Sequence, residues 1–165
     1  MTGASVRRTV EVAVDPKTAF AVFTERIGDW YVGGRHAWMD PDRAVGIRIE
    51  PGVGGRWLEL WDADTGAGYE MGVVRAWEPG SRLVLSYRHP RLPPEPLTEI
   101  EVRFAPVDGG TRVTLEHRGW DRLPPDVVAA FLTPRAWGAL LRWYTNYLRS
   151  WHRASPAGMP PDKLT

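Results

Sequence analysis

The chain has 165 residues, 43% of them hydrophobic and 25% charged, which suits one domain with a sizeable core and is short for two. Its formal net charge of +1 gives no electrostatic case for nucleic acid or an anionic membrane surface. It has no cysteine, so disulfides, thiolate metal sites and a cysteine nucleophile are excluded. No apolar run approaches the ~20 residues of a membrane span. The opening residues MTGASVRRT lack the apolar centre of a signal peptide, so a cytoplasmic location is expected. Only two of the 21 basic residues, Lys17 and Lys163, are lysine, which reads as a genomic bias rather than a function. The nine tryptophans are the unusual count. Indole is costly to expose, so several of them are expected to line an interior space.

From Val6 to Val14 apolar and polar residues alternate, with Val6, Arg8, Val10, Val12 and Val14 on one side. That pattern predicts a strand with one wet face. Asp15-Pro16 stops it and opens a short helix, with Asp15 as N-cap and Pro16 in the first turn. Ala19, Phe20, Val22 and Phe23 give this helix an apolar side. Ile27, Trp30 and Tyr31 carry the pattern into a second short helix, ended by Gly33-Gly34. Residues 35–43 read as an irregular loop holding His36 and Trp38.

Six further strands follow, over 45–50, 56–61, 68–77, 83–88, 98–104 and 111–119. Glycine, proline and aspartate punctuate them at 51–55, 62–66, 79–80 and 108–110. His89 to Pro96 holds four prolines and reads as an open loop. Residues 126–132 predict a short helix. From Thr133 the chain reads TPRAWGALLRWYTNYLRSW, and Trp137, Leu140, Leu141, Tyr144, Tyr147, Leu148 and Trp151 recur at helical spacing. Thr133 suits the N-cap and Pro134 the first helical position. The stop falls between His152 and Pro156, and the Pro-rich tail beyond is expected to fray.

The expected architecture is α+β. Tight turns imply an antiparallel sheet of about seven strands, apolar on one side, curved around the long C-terminal helix. Two short helices follow the first strand. No repeat or second domain is seen, so residues 1–165 are expected to be one domain with its core over about 5–152 and a tail over 153–165.

Several pieces of the chain fit one pattern. They are Asp15-Pro16 with Ala19-Phe20, Trp30, Pro51-Gly52 leading to Gly54-Gly55-Arg56-Trp57, and Met71-Gly72-Val73-Val74. Trp77-Glu78-Pro79, Arg82-Leu83-Val84, Gly110 to Leu115, His117 to Trp120, and Trp137-Gly138 with Leu140-Leu141 continue it. Together they resemble the helix-grip (START-like, SRPBCC) superfamily over roughly residues 5 to 152. The branch is that of bacterial relatives of the activator of the ninety-kilodalton heat-shock protein ATPase. The resemblance implies a deep pocket between sheet and helix for an apolar small molecule or lipid. The superfamily includes lipid carriers, hormone receptors and polyketide cyclases. It also leaves open a contact with a chaperone and a homodimer.

Two polar residues stand out on predicted inner faces. Glu59 alternates with Trp57 and Trp61, where a carboxylate needs a partner or a proton. It is read as a pocket anchor or base, against a strand-end position in solvent or neutralisation by arginine. His117 shares a face with Val113 and Leu115. It is read as a ligand-orienting or proton-moving group, against a core histidine with one satisfied hydrogen bond. His36 and His89 fall in loops that could rim a pocket, with solvated surface as the plainer reading, and His152 near the helix end is read as favouring its dipole. The glycines at 52–55 open a strand and lack a following GK[ST], so a phosphate loop is rejected. No HxH or HExxH spacing points to a metal, and no cofactor is indicated.

The expected ligand-facing residues are Trp30, Trp57, Glu59, Trp61, Tyr69, Met71, Tyr87, Phe104 and His117, with Trp137, Leu141 and Tyr144 from the helix. About half of the aromatics should be plain core. The favoured function is binding of a small hydrophobic or aromatic ligand. The alternatives are a cyclase or hydratase using Glu59 and His117, and a chaperone-interacting module.

Overall fold

The computed structural model describes residues 5–33, 37–131 and 134–154. Its strands are β1 (Val6–Val12), β2 (Gly46–Ile49), β3 (Arg56–Leu60), β4 (Gly68–Glu78), β5 (Arg82–Tyr87), β6 (Thr98–Val107) and β7 (Gly110–Arg118). They form one seven-stranded antiparallel sheet in the order β1-β7-β6-β5-β4-β3-β2. Helices α1 (Pro16–Glu25) and α2 (Ile27–Trp30) follow β1, and α3 (Pro125–Phe131) and α4 (Pro134–Ala154) follow β7. This is the helix-grip plan that the alternation predicts. The expected N-cap Thr133, the loop residue His36, and the side chains of Trp151 and His152 lie outside what is described.

Local chemistry accounts for the element ends. Asp15 caps α1, accepting from the Thr18 amide at 3.3 Å, and Pro16 needs no acceptor for its missing N–H. Strand β1 stops at Val12, two residues earlier than the alternation suggests, because the chain turns toward α1. Val14 stays buried, and its carbonyl accepts from the Thr111 hydroxyl at 2.7 Å. Gly119, predicted as strand, has a φ of 97°, which bends the chain out of β7 into a 3₁₀ turn at Trp120–Arg122.

The inner face packs on α1 and α4. Leu83, Leu85, Ile100, Val102, Phe104, Val113 and Leu115 are all buried there. Phe23 meets Tyr144 at 5.2 Å, Trp30 at 5.2 Å and Phe104 at 6.0 Å. Tyr144 is fully buried, and its hydroxyl donates to the Ala19 carbonyl at 2.7 Å, tying α4 to α1. Leu140, Leu141 and Leu148 complete the buried face of α4, whereas Trp137 is only half-buried.

The outer face departs from the expected uniform wetness. Leu58, Leu60 and Val84 are buried there, and so is Glu101, which is paired with Val84 across β5 and β6. Arg82, Arg103 and Arg118 all hydrogen-bond the Glu101 carboxylate, and Arg118 also reaches Glu99 and Glu116. Their long stems cover apolar surface while the guanidinium groups neutralise the carboxylate. No described helix is long and apolar enough to cross a membrane.

Candidate functional site

Between the first half of α4 and the β3–β5 end of the sheet lies a cavity of about 350 Å³. Three parts of the chain wall it. Trp57, Met71 and Tyr87 come from the sheet, with His89 just past β5. Trp137, Ala139, Leu140 and Trp143 come from α4, and Tyr31, Gly33, Ala37, Trp38 and Met39 from the connection between α2 and β2. The register explains the sheet contribution. Trp57 is opposite Gly72, and a bulge between Trp57 and Leu58 carries Met71 onto the same wall. Gly72 has no room for a side chain against the Ser86 carbonyl, so the strands close tightly beside the cavity.

The rings form two groups. Tyr31 contacts Trp38 and Trp143, each with centroids at 5.1 Å. Tyr87 contacts Trp57 at 6.2 Å and Trp137 at 6.3 Å. Gly33, with φ at 74°, lies directly under the Trp38 indole, leaving no space for a Cβ.

Of the twelve residues expected to face a ligand, Trp57, Met71, Tyr87 and Trp137 line this cavity. Trp30, Phe104, Leu141 and Tyr144 are buried in the core instead. The Trp30 indole donates to the Val22 carbonyl at 2.9 Å. Tyr69 and Trp61 are half-buried and off the wall.

Glu59 is fully buried on the inner face and off the cavity wall. Its carboxylate accepts from the backbone amides of Met39 and Asp40, the latter at 2.9 Å, and from the Trp61 indole at 2.9 Å. Neither solvent nor any described arginine satisfies it. Two consecutive amides of the α2–β2 connection do, so Glu59 holds the segment that presents Trp38 and Met39 to the cavity.

His117 is also buried, at 1% exposure. Its Nε2 is 2.7 Å from the Thr98 hydroxyl, and Nδ1 has no hydrogen-bond partner among the described residues. The ring is packed among Tyr87, Trp120 and Trp137, at 4.8, 4.6 and 5.2 Å. Burial pushes its pKa down to about 3, so the imidazole is neutral. A proton on Nε2, donated to Thr98, leaves only a lone pair unmatched at Nδ1, the cheaper arrangement. Glu59 and His117 share no hydrogen bond, so the two side chains do not form a direct pair.

The titratable residues that do line the wall are neutral as well. Burial, with the nearby Tyr69 hydroxyl, raises Tyr87 to about 12. Burial raises Tyr31 as well, reinforced by Tyr87 and Glu59, and its hydroxyl donates to the Ala37 carbonyl at 3.1 Å. Burial and the Arg91 charge lower His89, whose Nδ1 accepts from the Arg91 amide at 3.0 Å. No group of three or more His, Asp or Glu that could hold a metal stands together among the described residues.

Sequence reasoning missed Tyr31, Trp38, Met39 and Trp143 as wall residues. Trp143 follows Leu140 by three positions and precedes Tyr147 by four, so a second apolar stripe on α4 was readable. The loop residues gave no periodic signal.

The family model described as Activator of Hsp90 ATPase homolog 1-like protein matches residues 13–148. A Mesorhizobium loti protein of solved structure is 18% identical over 90% of this chain and 98% of its own, with a TM-score of 0.65. CalC from Micromonospora echinospora, described as a self-sacrificing resistance protein, is 25% identical over 89% of this chain and 95% of its own, with a TM-score of 0.60. An AHSA1-like protein from Aeromonas hydrophila is 18% identical over 90% and 94%, with a TM-score of 0.57. No curated protein matches the chain.

Proposed function

The chain belongs to the Activator of Hsp90 ATPase homolog 1-like family, and from the cavity between its sheet and α4 we propose that it binds a small apolar molecule. The observation that carries this reading is the wall itself. Six aromatic rings, two methionines and no described charged side chain surround about 350 Å³. That volume falls in the range of small-molecule sites, which are mostly apolar with few polar groups. A core built only for stability closes such a space, because unfilled volume destabilises.

The acid–base alternative is less well supported. Glu59 has its oxygens engaged by three donors, and His117 stands behind Tyr87 and Trp137 rather than on the wall. A chaperone contact draws support from the family description alone. The place of action would be the cytoplasm.

Titration with Nile red, an uncharged apolar dye, tests the proposal. Saturation near one dye per chain is expected, with Trp57→Ala and Tyr87→Ala weakening the dye more than they weaken folding. Dye binding that is unsaturable, or unchanged in both variants, would remove the cavity as the site.

A further inference from the structure

The electrostatics and ring arrangement of the cavity narrow its ligand, an argument that rests on the reading of that cavity as a ligand site. No Lys, Arg, Asp or Glu lies on its described wall. The titratable wall residues Tyr31, Tyr87 and His89 are each shifted toward the neutral form. Glu59, which braces the wall segment, is already engaged by three donors. A carboxylate, phosphate or ammonium entering here gives up its hydration and meets no opposite charge among the described wall residues.

Shape adds a second constraint. Trp137 and Trp143 leave α4 six residues apart, about 9 Å along the helix axis. Each belongs to a different ring group, one with Tyr87 and Trp57, the other with Tyr31 and Trp38. Aromatic rings gain from pairing with other rings beyond the area they bury, so a flat aromatic molecule can use both groups. Met39 and Met71 supply polarizable sulfur, which favours the edges of aromatic rings. An aliphatic chain of equal volume gains from burial alone and finds no use for this geometry.

We infer that the cavity takes an uncharged, planar aromatic molecule of about two to four rings, the size that a cavity near the small end of ligand sites holds. Three probes test this. N-phenyl-1-naphthylamine and 8-anilinonaphthalene-1-sulfonate share one ring skeleton and differ by a sulfonate. 1-Dodecanol is uncharged, strongly apolar and has no ring.

The neutral naphthylamine should bind near one per chain, roughly tenfold or more tighter than the sulfonate, a gap of about 1.4 kcal/mol or more. Dodecanol should displace it only at roughly tenfold higher concentration than the affinity of the amine implies. Sulfonate binding as tight as the amine overturns the charge argument. Dodecanol binding as tight overturns the aromatic one. If none of the three binds saturably, the ligand-site reading itself fails, which is a different outcome. Trp143→Leu and Trp137→Leu, both at half-buried positions, should each weaken the amine about fivefold or more while thermal unfolding stays cooperative. Unchanged affinity in both would place the probe elsewhere and overturn the assignment.

Discussion

The Trp38 indole lies against the backbone of Gly33, with no room between them for a methyl group. Gly33 also has φ at 74°, a conformation that costs other residues about 1–2 kcal/mol. The pair sets where one wall of the cavity stands. Gly33→Ala should displace Trp38, shift its fluorescence and weaken an apolar probe by about tenfold, or 1.4 kcal/mol. Parent-like probe affinity would show that Trp38 is not part of the wall.

Glu59→Gln should release the same wall from the other side. An amide keeps one accepting oxygen and turns N–H groups toward donors, so at least one of the Met39 and Asp40 amides loses its partner. The expected cost is about 1–3 kcal/mol in denaturant unfolding. Hydrogen exchange at those two amides should speed up selectively. Unaltered exchange at both would mean that the carboxylate does not hold the loop.

Burial of His117 predicts acid sensitivity. The unfolded chain takes up a proton below the ordinary value of 6.5, and the folded chain does so only near 3. The unfolded state therefore binds more protons throughout that window. Stability from this residue is complete above 6.5 and falls as the pH drops toward 3. Between pH 7 and pH 5 the loss is about 2 kcal/mol. His117→Leu should flatten the stability profile over those two units by that amount, read by urea unfolding at each pH. Parallel profiles for parent and variant would show that His117 is readily protonated in the fold.

Two large residues on α4 should separate stability from binding. Tyr144 is fully buried and tied to Ala19, so Tyr144→Ala should cost about 3–5 kcal/mol. Trp137 is half-buried on the cavity wall, so Trp137→Ala should cost less in folding and more in probe affinity. Equal folding losses in thermal unfolding would mean that Trp137 is core.

The alternation of β1, β6 and β7 made their faces readable, because period two leaves little choice of side. Asp15-Pro16 and the apolar stripe of α4 were readable for similar local reasons. The cavity was harder to read. Trp30 and Phe104 look the same in sequence as Trp57 and Trp137, and only the packing of α1 and α2 separates core from wall. Glu59 is legible as facing inward, but its partners include the backbone amides of Met39 and Asp40, far back in the chain, and amides leave no mark in a sequence. The bulge that brings Met71 to the wall likewise has no side-chain signature.

The position of β1 at the end of the sheet bears on how the chain is assembled. From β3 to β7 each strand pairs with the one made just before it, so β2 to β7 can form hairpin by hairpin as they are synthesised. β1 is made before all of them, yet its strand partner is β7, with Val6 opposite His117. It must wait, unpaired, while about a hundred residues are added, and closing that loop is the costly step. A chain halted before Gly110 would hold every hairpin through β5–β6 and lack β7, the strand on which its own first strand is seated.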